Sequence, residues 1–255
     1  MKTNTARLMQ NLELLKLHHI HDHGEEAARK AASAQVSHLD FLADLVQAEA
    51  DAFQERALAR RLQQARFPWI KALDQFKWSH PTRIDRQQVQ HLFHLTFVEQ
   101  KANVVFVGPT GMGKTHLAIA LAHEACVRGH RVLFSTAIDI INHLNAAQQG
   151  HVLAREMKRY TAPEALVIDE IGYLPVDRQG ADLLFQVFSH RYERGSIILT
   201  TNRVFKQWPR IFNNDAVLAT ALLDRLVHHC EVIVIEGKSY RLNGEIVPPS
   251  AQTQP

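Results

Sequence analysis

Asn103-Val104-Val105-Phe106-Val107-Gly108-Pro109-Thr110-Gly111-Met112-Gly113-Lys114-Thr115-His116-Leu117-Ala118 decides the fold. Its first five residues form a short apolar run, the mark of a buried strand. Gly108 to Thr115 then fits GxxxxGK[ST] without a mismatch. Thr115 to Arg128 reads as a helix. A strand, a glycine-rich turn and a helix in this order make a phosphate-binding loop. The glycines let successive backbone N–H groups turn inward around phosphate oxygens. The helix N-terminus adds partial positive charge. Lys114 is placed to reach the β- and γ-phosphates of a nucleoside triphosphate, and the Thr115 hydroxyl to bind Mg²⁺.

Downstream, strands alternate with helices. Arg131–Ser135, Ala165–Ile168, Ser196–Thr200 and Cys230–Ile235 read as strands. Ile138–Gln148, Val152–Tyr160, Gly180–Glu193 and Ala216–His228 read as helices, the first two split at Gly150. This alternation predicts an α/β fold with a parallel sheet covered on both faces. The third strand ends in Asp169-Glu170, at the edge where such sheets place ligands. Asp169 suits a Mg²⁺ ligand acting through water, and Glu170 the group that polarises an attacking water. Asn202, with Thr201 as the alternative, ends the fourth strand and is placed to orient that water. Arg225 sits among apolar helix neighbours and needs a partner: either a carboxylate such as Asp224, or ATP on a neighbouring subunit. Arg241 is a candidate second phosphate sensor.

Upstream, residues 1–66 read as a small all-helical unit. Leu8, Leu12, Leu15 and Ile20 share one helix face, Gly24 is expected to break the chain, and Ser37 with Asp40 resembles a capping box. A long helix follows to Arg66, with Leu39, Leu42, Leu45, Val46 and Phe53 as its apolar stripe and Pro68 just beyond its end. Residues 67–100 form a linker and approach helix. Phe67, Trp69, Phe76 and Trp78 dock it, and Asp85 to Gln100 supplies the helix.

The chain has 255 residues, 46% hydrophobic and 22% charged, which are globular values. Its net charge of +3 permits nucleic-acid binding without requiring it. Residues 1–66 hold nine basic and nine acidic side chains, so the excess lies downstream. Cys126 and Cys230 are far apart and outside any zinc spacing, so they read as reduced core residues. His18, His19, His21 and His23 also fit no zinc motif and read as a solvated helix end. The run from Arg56 to Arg66 serves equally as a DNA contact or an interdomain face. The N-terminus has no signal-peptide pattern and no apolar run reaches 18 residues, so a cytoplasmic protein without a membrane partner is expected. The tail, 248–255, is polar and proline-rich and is expected to be disordered.

Taken together these residues resemble the AAA+ ATPases of the IstB/DnaC group. The resemblance runs through Arg60-Arg61-Leu62, Ala65-Arg66-Phe67-Pro68, and Phe76 with Trp78, where Lys77 replaces the acid usual in relatives. It continues through Gly113-Lys114-Thr115-His116-Leu117-Ala118 and Asp169-Glu170-Ile171-Gly172-Tyr173-Leu174-Pro175. Trp208 and Ala219-Thr220-Ala221-Leu222-Leu223-Asp224-Arg225-Leu226-Val227-His228-His229 are more like IstB than DnaC. The resemblance implies an AAA+ domain over 101–247. ATP would be held by Gly108, Pro109, Thr110, Gly111, Met112, Gly113, Lys114, Thr115, His116, Asp169 and Arg241, with Mg²⁺ on Thr115 and Asp169. Glu170, Asn202 and Arg225 would be the catalytic residues, with Arg225 acting as an arginine finger between subunits. It also implies a homo-oligomer with ATP at its subunit interfaces, assembling on duplex DNA without strong sequence preference. Such a protein helps select the target and activates a partner transposase. The insertion from Ile138 to Tyr160 would face DNA, with Arg155, Lys158 and Arg159 as phosphate contacts or as a solvated basic face. The neutral N-terminal helices would bind a partner or DNA. Two other readings stay open: a DnaC-like replicative helicase loader that prefers single strands, and a monomeric metabolic kinase that ignores DNA.

Overall fold

The computed structural model describes residues 2–237. Arg241 and the 248–255 tail lie outside the described residues. The chain parts into two compact units between Arg60 and Arg61.

The first unit is helical: α1 (Lys2–Leu14), α2 (His18–Ser33) and most of α3 (His38–Ala65). The break expected at Gly24 falls instead at Lys16, whose φ of 59° lies in the left-handed region. Gly24 stays inside α2, at an energetic cost that flanking helix formers absorb. The N-cap residue of α2, Leu17, has no capping side chain. A remote group supplies the bond: the Glu49 carboxylate accepts the Ile20 N–H at 2.9 Å and pairs with Arg56 at 2.8 Å. Burial pushes the Glu49 carboxyl up, but the Ile20 N–H and Arg56 outweigh it and hold it below the ordinary glutamate range. Ser37 caps α3 as its spacing from Asp40 suggests, its Oγ accepting the Asp40 N–H at 3.2 Å and donating to the Asp40 carboxylate at 2.7 Å. The expected apolar stripes are not a core. Leu12 is buried, but Leu8, Leu15, Leu39, Leu42, Val46 and Phe53 are exposed.

The second unit continues with α4 (Arg86–Leu92), α5 (Thr96–Glu99), β1 (Asn103–Val107), α6 (Lys114–Val127), β2 (Val132–Thr136), α7 (Ala137–Gln149) and α8 (Leu153–Thr161). It ends with β3 (Ala165–Ile171), α9 (Arg178–Arg191), β4 (Ser196–Thr201), α10 (Trp208–Ile211), α11 (Ala216–Val227) and β5 (Cys230–Val234). The helix expected over 85–100 is two, because Leu95 turns left-handed at φ 63° to send Phe97 and Val98 inward. The five strands form one sheet, ordered β2-β3-β4-β1-β5, and every pair is parallel. Strands buried on both faces explain the near-continuous apolar runs.

Two polar side chains pin this sheet. Asn103 is buried at the foot of β1; its amide donates to Leu226 O and accepts from Ile197 N–H, each at 2.9 Å. It thereby ties β1 to α11 and β4. Arg191, 1 % exposed, donates to the carbonyls of Tyr160, Pro163, Glu164 and Ser196 at 2.8–3.1 Å. These carbonyls close α8, lead into β3 and open β4, so one guanidinium holds three chain segments. Desolvation lowers its pKa to about 10, still far above neutrality. Arg191→Ala would leave several buried carbonyls without a donor. Urea unfolding should register a loss of about 3–5 kcal/mol; a loss below about 1 kcal/mol would show that water replaces the guanidinium.

Candidate functional site

The loop between β1 and α6 is shaped by backbone conformations open to glycine. Gly111 and Gly113 have φ of 81° and 83°. A Cβ on Gly113 would strike Phe76 Cε2 at 2.7 Å, and one on Gly108 would meet Ile235 O at 2.2 Å. The second clash explains the first glycine of the motif: Ile235, the residue after β5, donates its N–H to Val107 O at 2.8 Å, directly beside the loop. Gly108 N–H also donates to Thr201 O at 3.2 Å, tying the loop to β4. Lys114 Nζ donates to Pro109 O at 2.7 Å, so the side chain folds back over the loop.

The acidic pair sits at an irregularity. β3 does not stop at Ile168 but continues to Ile171, with a register shift against β4 between those residues. Glu170 stands in the left-handed region at φ 61°, and its side chain is exposed while Asp169 is 4 % exposed. A bulge of this kind re-aims a side chain. Here it separates two adjacent carboxylates into different environments. Asp169 accepts hydrogen bonds from Thr115 Oγ1 at 3.0 Å and from Thr200 Oγ1. Burial pushes its carboxyl above the ordinary aspartate range, and Thr200, Thr115 and the Lys114 charge offset only part of that rise. Thr200 Oγ1 also accepts the Glu170 N–H at 3.0 Å. One hydroxyl therefore fixes both acids.

A cavity opens over the loop. Thr110, Gly111, Met112, Gly113, Lys114, Thr115 and His116 form its floor, and Glu170, Thr200, Thr201 and Asn202 one wall. The Asn202 Oδ1 atom is buried and has no hydrogen-bond partner among the described residues. It is an unused acceptor in a cavity that also holds Glu170. Thr201 is spent locally, its Oγ1 accepting the Arg203 N–H at 3.0 Å. A second, more polar cavity shares Thr115 and Glu170 and adds Asp169, Arg66, His143 and Arg159. Gly108 and Pro109 shape the loop without lining the first cavity, and the Met112 side chain is buried.

Trp69, Lys71, Gln75, Phe76 and Lys77 from the linker form the opposite wall. His116 holds this segment: a ring nitrogen meets Ala72 O at 3.0 Å, and the ring packs edge-on against Trp69 and Phe76 at 6.2 and 5.5 Å between centroids. Burial lowers the pKa of His116, with the Ala72 bond opposing in part.

Arg225 lines neither cavity. Its Nη1 donates to Ala221 O at 2.8 Å, and the guanidinium lies 4.8 Å from the Phe185 ring centroid. It forms no ion pair within 4.0 Å among the described residues, so the Asp224 partnership is absent here. On α8, Met157 and Tyr160 face inward while Arg155 and Lys158 are exposed. Arg155 pairs with Glu156 at 2.9 Å, and Arg159 lies over the Tyr160 ring. Sequence reasoning missed Thr200 as the residue that fixes both acids. Its only signal was a hydroxyl near the end of an apolar strand, one register step from the acids. It also cast the linker aromatics as docking groups and not as a cavity wall.

A glycine cradle at a helix N-terminus, a lysine beside it and a hydroxyl–carboxylate pair at the strand ends define a P-loop nucleotide-binding protein of the AAA+ type. The profile of the family "IstB-like ATP binding protein" matches residues 10–246, and the chain belongs to this family. It is 44% identical over 231 residues, covering 91% of this chain and 87% of the relative, to a protein of Pseudomonas aeruginosa named as an ATP-binding protein of insertion sequence IS21. It is 40% identical over 215 residues to the corresponding IS5376 protein of Geobacillus stearothermophilus, covering 84% of this chain and 85% of that one. Among solved structures, the DnaC helicase loader has the same fold with a TM-score of 0.53 at 23% identity, over 65% of this chain and 96% of that one. DnaI matches with a TM-score of 0.54 at 19% identity, over 69% and 92%. Among the described residues no helix is long and apolar enough to cross a membrane.

His116 makes the linker wall sensitive to acid. Its folded pKa lies below the ordinary value of about 6.5, so protonation favours the undocked linker. The docking free energy is fully present above that value and is lost as pH falls below it. Lowering the pH from about 7 to about 5 should shift Trp69 fluorescence to the red. His116→Phe should keep the wall and abolish the shift; an unchanged acid shift in that variant would refute the role.

Proposed function

We propose that this chain is an ATP-hydrolysing, DNA-binding regulator of transposition: it assembles on duplex DNA, helps select the target and activates a partner transposase. The observation that carries the ATPase reading is the separation of Asp169 and Glu170 by the bulge, beside the unused Asn202 Oδ1 acceptor. The insertion-sequence names of its relatives support the transposition setting. In this reading residues 1–66 bind the partner or DNA, 67–100 are the linker and approach helix, and 101–247 are the ATPase domain.

The residues present fit a triphosphate. The Gly108–Thr115 loop presents backbone N–H groups and the α6 N-terminus to phosphate oxygens. Lys114 leaves Pro109 O for the β- and γ-phosphates. Thr115 and Asp169, a hydroxyl and a carboxylate already in contact, fit a Mg²⁺ site. When bound, Mg²⁺ neutralises charge between the phosphates. The exposed Glu170 carboxylate takes a proton from the attacking water, and Asn202 Oδ1 accepts the other to orient it. Arg225 lies outside the cavity of its own subunit and completes the site of a neighbour, which makes turnover depend on assembly. Arg155, Lys158 and Arg159 contact the DNA backbone.

Glu170→Gln should retain ATP binding while hydrolysis falls about 10²-fold or more. Arg225→Ala should fall about 10³-fold and cease to respond to protein concentration. Sedimentation with duplex or single-stranded DNA, with and without a non-hydrolysable ATP analogue, tests the rest. Large particles that need both analogue and duplex, and that vanish in Lys114→Ala and Arg225→Ala, are the expected result. Preference for single strands would point to a helicase loader. A monomer under every condition, with Arg225→Ala fully active, would point to a metabolic kinase.

Asp169 gives the site a pH dependence of definite sign. The carboxylate must be ionised to hold Mg²⁺, and its pKa is raised, so hydrolysis should fail at a higher pH than an ordinary aspartate would allow. Thr200→Val removes a hydrogen bond that lowers this pKa. The acidic limb of the pH–rate profile should therefore move further up in that variant, and a limb that stays or moves down would contradict the assignment.

A further inference from the structure

We propose that Glu193, His228 and His229 form a binding site for a divalent transition metal of the zinc class. The site is separate from the ATP cavities, and the proposal does not rest on the function argued above. One ligand atom from each of the three residues lies within 4.8 Å of the other two. Four-coordinate zinc with bonds of about 2.0–2.1 Å sets its ligands about 3.3 Å apart, so modest rotation of three exposed side chains closes the site. Two imidazoles and a carboxylate match the borderline-soft ligand set that zinc prefers to magnesium or calcium.

The backbone that carries these ligands is anchored. His229 O accepts the Asn103 N–H at 2.7 Å, which fixes the turn between α11 and β5 to the foot of β1. Glu193 follows Arg191, the guanidinium bound to four carbonyls, in the turn between α9 and β4. That turn is closed by Arg194 N–H and Gly195 N–H donating to Arg191 O at 2.9 and 3.0 Å. The site thus joins two rigid turns that are far apart in sequence.

An outer partner is also in place. The Tyr192 hydroxyl lies 2.9 Å from His228 Nδ1. With Nδ1 donating to the phenol oxygen, Nε2 is left as the lone pair a metal needs, the arrangement metal-bound histidines commonly show. The C-terminus of α11 lies one residue before His228, and its carbonyl dipoles favour a cation. Three protein ligands leave one coordination position for water. Occupation would fix the last turn of α11, three residues from Arg225.

Cobalt(II) titration of the untagged full-length chain reads this directly, because four-coordinate cobalt absorbs strongly in the visible and hexaaqua cobalt does not. One equivalent should produce the four-coordinate spectrum, and one equivalent of Zn²⁺ should remove it. His228→Gln, His229→Gln and Glu193→Gln should each lose it while keeping the wild-type circular dichroism and melting temperature. Tyr192→Phe should retain the spectrum with affinity reduced about tenfold. His21→Gln/His23→Gln controls for the other histidine cluster, where the His19 and His23 rings stack at 4.5 Å. Absence of the four-coordinate spectrum would overturn the site. So would a spectrum that survives His229→Gln, or one lost only in the His21→Gln/His23→Gln protein.

Discussion

The buried carboxylate of Asp169 is the point on which the nucleotide-binding half of this molecule turns. It takes hydroxyl donors from α6 through Thr115 and from β4 through Thr200, so loop, helix and two strands meet on one group. A carboxylate left without partners at that depth would cost several kcal/mol or would take up a proton. The two threonines hold it in place, and burial still leaves it harder to ionise than an ordinary aspartate. An oxygen-rich, partly frustrated position of this kind is stable enough to fold and incomplete enough to favour a cation. The bulge beside it completes the arrangement by turning Glu170 out to solvent, where a regular strand would send its side chain to the opposite, covered face of the sheet.

Much of this was legible in the residues. The phosphate loop, the alternation behind it and the acids at a strand end lead to a parallel sheet without any knowledge of the packing. Period and turn chemistry are local, and the strands buried on both faces carry their own hydrophobic signature. The split at Gly150 and the helix cap at Ser37 were likewise readable, because each needs only neighbours in sequence. What was not legible depends on distant partners. The register that puts Thr200 against Asp169 is set by strand pairing across 31 residues. Glu49 caps a helix that begins 31 residues before it, and no local pattern announces that.

The errors have the same physical origin. Gly24 is a weak helix former, yet a helix breaks where its backbone has the least to lose, and here that is Lys16. The stripe of Leu39, Leu42, Leu45, Val46 and Phe53 has helical spacing, yet Leu39, Leu42, Val46 and Phe53 are exposed. Periodicity shows that a helix has an apolar side but does not show what covers it. In the linker, Trp69 and Phe76 had the opposite history. Without periodicity they read as docking groups, and the structure gives them a sharper place, opposite the phosphate loop with His116 between them.

Arg191 and Arg225 show how far residue type alone falls short of a role. Both sit in helices with a buried apolar face, and neither forms an ion pair within 4.0 Å among the described residues. Arg191 is fully enclosed, and four carbonyls take up its donors. Four of its five donors are taken, Nε alone lacks a partner among the described residues, and at 1 % exposure such an arginine is committed to the fold. Arg225 is half-buried, gives one bond to its own helix and rests on an aromatic face. A guanidinium carries five N–H donors, and the described residues take up one of them here. A charge supported by a ring and a single carbonyl can leave that position at small cost. The difference between a structural arginine and one available to a phosphate lies in that count of satisfied donors, which only the folded chain supplies.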